Sequence, residues 1–275
     1  MTHVANARRP ACALVAGFLL AAAASGLAGC HEFGDETGSI AASPKMPADD
    51  RQLRSYADEA QRRYEANPGE KTASIEYARV LRAMTRYSEA VAVMQAAAIK
   101  TPRDEDVLGE YGKALADSGE LAQAKDVLTR AYTPDNPKWD VMSVQGAVAD
   151  RLGDHAGAMR FYHEALKIAP GEPSVLTNMG LSLALNRQLP EAERTLRQAV
   201  ASPKADARMR GDLALVLALE HKYAEAEEVS QADLTPEAAR ANVESIKHMI
   251  AGNDGLKDLR RPARTAAPEA ERQAG

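Results

Sequence analysis

The chain has 275 residues, 45% of them hydrophobic but only 4% aromatic, and 55 are alanine. So much of the strongest helix former, with so few large flat side chains, excludes a sheet-built enzyme core and points to closely packed helices. A net charge of -5 excludes a broadly basic nucleic-acid binder, and two cysteines, Cys12 and Cys30, exclude a disulfide or cysteine-zinc framework.

Residues 1–29 read as a targeting segment. Arg8 and Arg9 precede an uncharged apolar run from Ala11 to Ala24. That run falls short of the ~20 residues a bilayer span needs and suits a signal-peptide core. It leads into Leu27-Ala28-Gly29-Cys30, which resembles the lipobox of bacterial lipoproteins. The resemblance implies cleavage before Cys30 and acylation of that cysteine, first twice and then once more. An ordinary secretory signal that happens to contain a cysteine is the plainer alternative. One acyl chain, at ~0.8 kcal/mol per buried CH₂, binds a membrane only marginally, whereas several hold stably. His31, rather than Asp, follows the cysteine, which by analogy with enterobacterial sorting favours the outer membrane. Cleavage would leave 32 Lys and Arg against 39 acids, a net charge of -7. Residues 30–48 then form a lipidated N-terminus and a flexible tether rich in Gly, Ser and Pro.

Residues 49–68 read as a charged N-terminal helix ending at Asn67-Pro68. From there proline recurs at Pro68, Pro102, Pro137, Pro170, Pro203 and Pro236, intervals of 34, 35, 33, 33 and 33. A stride near 34 is that of the tetratricopeptide repeat, a helix-turn-helix unit. Other positions keep the same phase when repeats are counted from Lys71, Glu105, Trp139, Pro173 and Ala207. Position 8 is Ala78, Gly112, Gly146, Gly180 and Ala214; position 20 is Ala90, Ala124, Ala158, Ala192 and Ala226. Position 27 is Ala97, Ala131, Ala165 and Ala199, failing at Asp233. Small residues at fixed phase mark helix crossings, and chance spacing in an ordinary bundle does not produce them. Over residues 71–236 the sequence therefore resembles the tetratricopeptide family. Five repeats of this kind imply an all-α solenoid, a right-handed superhelix with a concave groove. Thr235 and Pro236 are good start signals for a C-terminal capping helix at residues 237–251. Residues 252–275 have no apolar period and read as a disordered tail.

Catalytic motifs are missing. His31-Glu32 lacks a second histidine at metal-binding spacing, and there is no glycine-rich phosphate loop or G-x-S-x-G. His155, His163, His221 and His248 stand singly as surface residues, and Tyr111, Tyr162 and Trp139 read as core. No catalytic, metal or cofactor site is expected. In the resembled family, first-helix positions 2, 5, 9, 12 and 13 line the groove. This places Arg79, Arg82 and Lys113 at a polar, partly basic end, and Leu181, Leu185, Leu215 and Leu219 at an apolar one. Of the residues that clamp a terminal carboxylate in chaperone-binding members, only Lys113 and Asn178 are matched, in different repeats. An amphipathic helix laid in such a groove is a known mode of recognition. Alternatively, the terminal helix or ordinary packing covers the leucines.

A lipobox, a tether and repeats without a catalytic appendage are similar to the small outer-membrane lipoproteins of tight-adherence (Flp) pilus assembly. Leu176-Thr-Asn-Met-Gly-Leu-Ser-Leu-Ala-Leu, Leu213-Ala-Leu-Val-Leu-Ala-Leu and Leu234-Thr-Pro-Glu-Ala-Ala-Arg-Ala-Asn-Val carry this resemblance, with Asp212 departing where repeat 4 has Asn178. It implies a non-enzymatic, membrane-anchored, pilotin-like scaffold. Its partner would be a protein, a secretin or another pilus or secretion component, and no nucleic acid or cofactor. Two other readings stand beside it: a periplasmic scaffold for envelope biogenesis or polysaccharide export, and an accessory subunit of a periplasmic maturation enzyme.

Overall fold

The structure, a computed structural model, describes residues 50–260. The leader, Cys30, the tether and the last part of the tail lie outside the described residues. Helix α1 is Asp50–Ala66. Five helix pairs follow: α2 (Lys71–Ala83) with α3 (Tyr87–Lys100), α4 (Glu105–Ser118) with α5 (Leu121–Leu128), and α6 (Trp139–Arg151) with α7 (His155–Ile168). Then come α8 (Pro173–Leu185) with α9 (Leu189–Val200) and α10 (Ala207–Leu219) with α11 (Tyr223–Ser230). Two further helices, α12 (Pro236–Gly252) and α13 (Asp254–Leu259), end the described chain. The architecture is the expected all-α solenoid of helix-turn-helix repeats.

Local chemistry sets the boundaries. The Asp104, Asp154 and Asp206 side chains accept hydrogen bonds from first-turn N–H groups, that of Asp206 from Met209 at 2.7 Å, each cap contributing about 1 kcal/mol. Between the helices of a pair the chain needs one left-handed residue. Gly119 (φ 89°) and Gly153 (φ 86°) supply it in two repeats, while Thr85 (φ 58°), Arg187 (φ 61°) and His221 (φ 64°) supply it in the others.

Close approach of the paired helices explains the small residues. A Cβ on Gly146 would lie 2.4 Å from Tyr162 Cε1, and those on Gly112 and Gly180 would collide with Leu128 and Leu196. The five position-20 alanines facing these crossings are all fully buried. First helices of neighbouring repeats also pack on one another, from α2 through α4, α6, α8 and α10 to α12, and form the inner wall of the stack. Apolar side chains fill three successive clusters: one from α1 to α6, one around Tyr162, and one from α8 to α13.

Two segments depart from the sequence expectation. Helix α5 stops at Leu128, well before Pro137, and Pro134 and the turn in which the Thr133 carbonyl accepts from Asn136 N–H at 3.1 Å keep it from resuming. Residues 254–259, read as part of a disordered tail, form α13. Asn253 caps it by accepting from Leu256 N–H at 3.2 Å, and Leu256 and Leu259 are buried. A single turn holding two leucines three residues apart is too short to show as a period, yet it suffices to dock.

Candidate protein-binding groove

The polar end of the inner wall is built around Glu110, which α4 turns into the seam with α2. Arg79 Nη2 lies 3.1 Å from Glu110 Oε1, Arg82 Nη1 lies 3.4 Å from Oε2, and Lys113 Nζ lies 2.9 Å from Oε1. Arg82 Nε also donates to Asp117 at 2.6 Å and Lys113 to Asp140 at 2.7 Å. Burial opposes ionisation of Glu110, but Lys113, Arg79 and Arg82 outweigh it and hold the carboxyl well below the usual range. Three cations thus meet three carboxylates. The partly basic groove end expected from the sequence is a neutralised ion-pair network tying α2, α4 and α6 together. A bound partner would have to compete with these internal contacts.

Farther along, Asn178 Nδ2 donates to Ser143 Oγ at 3.0 Å and joins α8 to α6, so it too is engaged in the protein's own wall. Asp150 gathers the next contacts. Its carboxylate accepts from the Ser182 hydroxyl and the Tyr162 hydroxyl, each at 2.8 Å, and His155 Nδ1 sits 2.8 Å away. His155 is therefore not solitary as expected. Serine, aspartate and histidine come together here, but Ser182 and His155 both contact Asp150 Oδ1 and do not address each other. Such geometry anchors helices and provides no base for a serine nucleophile. The sequence signal for these ties was present as a spacing: Arg82–Asp117 and Ser143–Asn178 are each 35 residues apart, one repeat on.

The leucine end is divided. Leu181 and Leu185 are half-buried, whereas Leu215 and Leu219 are 9% and 2% exposed. Of the two alternatives, coverage by the chain's own terminal helices holds for repeat 5. Leu256 and Leu259 of α13 join the same apolar cluster as Leu215 and Leu219. Asp258 pairs with Arg187 in the turn after α8, and Arg260 Nη2 donates to the Ala218 carbonyl at 3.1 Å. The leucines of repeat 4 are therefore the more accessible of the two pairs.

Asp212 is the odd polar residue of repeat 5. It occupies the position of Asn178 one repeat later, but it is buried and its Oδ2 has no hydrogen-bond partner. The hydroxyl of Thr177, the counterpart of Ser143, donates instead to the Pro173 carbonyl at 2.8 Å. Burial pushes the Asp212 carboxyl up to about 6, with Arg208 only partly opposing. Between α3, α4 and α5 lies an open cleft of about 470 Å³ lined by Ala98, Ile99, Leu108, Tyr111, Val127 and Arg130, which nothing in the repeat pattern foreshadows.

The tetratricopeptide-repeat family model matches residues 75–138 and 110–173. No curated protein sequence matches the chain. Among solved structures, the chain is similar to the tetratricopeptide protein TTC0263 of Thermus thermophilus, with a TM-score of 0.56 and 19% identity over 64% of this chain and 97% of that one. A monomeric IFIT1 mutant with m7Gppp-AAAA gives a TM-score of 0.61 at 13% identity, covering 77% of this chain and 53% of that one. The Cut9–Hcn1 hetero-tetramer of the APC/C gives 0.56 at 15%, covering 78% and 46%. At these identities the likeness concerns the fold. The chain folds as an all-α tetratricopeptide-repeat solenoid, its repeats recognised by the family model from residue 75 to residue 173.

Proposed function

We propose that the protein is a lipid-anchored scaffold of the bacterial envelope, a pilotin-like factor resembling TadD of the tight-adherence (Flp) pilus machinery. In this reading Cys30 carries the lipid, residues 31–48 span the gap to the folded part, and the solenoid holds a secretin or another pilus component at the outer membrane. Tetratricopeptide repeats are protein-binding scaffolds, which makes a protein partner the natural ligand of the inner wall. One observation carries the finer reading: the box Leu27-Ala28-Gly29-Cys30 and a Gly-, Ser- and Pro-containing tether stand directly before a solenoid. Several acyl chains would confine the groove to the membrane surface and raise its effective concentration toward a membrane-inserting partner.

The test is Cys30→Ser in the piliated host. Lipid labelling of the protein should disappear, the protein should leave the outer-membrane fraction, and assembled secretin multimers should fall. Unchanged secretin multimers and normal pili would contradict the proposal.

A further inference from the structure

Helix α13 is too short to be stable in isolation, so its order derives from the surface beneath it. Three kinds of contact seat it there. Leu256 and Leu259, 3% and 7% exposed, enter the apolar cluster that contains Leu215 and Leu219. The carboxylate of Asp258 pairs with Arg187, in the turn that follows α8. Arg260 donates to the Ala218 carbonyl at 3.1 Å and to the Tyr223 hydroxyl at 3.3 Å, at the end of α10 and the start of α11. The segment therefore turns back from α12 onto repeat 5, beside Leu215 and Leu219, and reaches repeat 4 at Arg187 in the turn after α8. It hangs from the repeats through Gly252-Asn253, and Asn253 has the extended backbone of a cap rather than of a continuing helix.

We infer that α13 is a built-in, displaceable occupant of the leucine end of the groove. The seat it fills takes one helical turn of a protein partner that carries two leucine-sized side chains three residues apart and a carboxylate on the residue before the second. The chemistry follows from what the seat offers: two apolar holes, one cation at Arg187, and a carbonyl at Ala218 that accepts from a donor just beyond. The inference rests on the protein-binding reading of the groove and adds the character of the ligand and a means of regulating it. Because α13 is tethered, its effective concentration at the seat is on the order of millimolar. A partner gains access only by outcompeting it or by holding α13 elsewhere, while Leu181 and Leu185 remain available for the first encounter.

The experiment uses a fluorescent peptide corresponding to residues 250–262 of this chain, titrated by anisotropy against three proteins. These are the full chain, a chain ending at Gly252, and the full-length double variant Leu256→Asp/Leu259→Asp. The shortened chain and the double variant should bind the peptide at least about tenfold more tightly than the full chain. A peptide bearing Asp258→Arg should lose that binding and regain it on a shortened chain bearing Arg187→Asp. Equal affinity for all three proteins, or affinity indifferent to the charge exchange, overturns the inference. So does unfolding of both variants by circular dichroism, since an occupant that can leave must leave a folded seat. The peptide is the chain's own, so failure to find a secretin at the groove would refute the proposed function and leave this result standing.

Discussion

Asp212 shows how much a single side chain decides in this wall. Arg82 and Ser143 each find a polar partner one repeat on, but the donor that Asp212 would need is committed to Pro173. A carboxyl raised from 3.8 to about 6 on folding holds its proton more tightly in the folded state. Its contribution to stability is therefore fully present below about 4 and is lost as pH rises through about 6. Asp212→Asn keeps the shape and removes the charge. Urea unfolding should show the variant more stable by up to about 3 kcal/mol at pH 8 and equal to the parent at pH 3.5. A pH-independent difference would mean that the charge is not what burial opposes. The sequence marked Asp212 as a departure from Asn178 but carried no sign of its burial, because its counterpart Asn178 is only half-buried and burial is set by packing between repeats. Likewise Thr85, Arg187 and His221 hide their left-handed turns, since only glycine advertises that conformation.

At the level of elements, the crossing of α6 and α7 is a tight constraint. Tyr162 lies across Gly146 and is pinned there by its hydrogen bond to Asp150, so the ring cannot swing aside. Gly146→Ala should destabilise the protein by about 2 kcal/mol or more, in the range of core overpacking. Gly211, also helical, has open space where a Cβ would go, and Gly211→Ala should stabilise by about 1 kcal/mol through helix propensity. Urea midpoints moving in opposite directions for the two variants would bear this out; a shift in the same direction would contradict it. Crossings were legible in the sequence because a small residue recurs at fixed phase in all five repeats. The early end of α5 was not, because Pro134 stands outside the regular proline stride that marks Pro137. Helix α13 was invisible because one turn has no period. The basic groove end misleads for a related reason: Arg79, Arg82 and Lys113 lie in phase, but the acids that neutralise them belong largely to the next repeat.

Over the whole molecule, stability is passed from neighbour to neighbour, since each repeat touches little beyond the next. The last repeat depends on its cap. Val243 and Ile250 of α12 are buried against the cluster that includes α10. In Val243→Asp/Ile250→Asp, amide exchange across α10 and α11 should quicken at least about tenfold, while α2 to α4 keep their protection. Uniform loss of protection along the chain would contradict a nearest-neighbour stack. The same one-dimensional build leaves Leu181 and Leu185 on the inner wall half-buried, more accessible than Leu215 and Leu219, and a partner in the groove would meet them. The most direct test is photo-cross-linking in the piliated host, with a photoreactive residue at Leu181 and a control at Ile99 on the outer face. A cross-link from Leu181 to a secretin or pilus component, identified by mass spectrometry, is expected, and none from Ile99. A cross-link to that component from Ile99, with none from Leu181, would contradict binding in the groove.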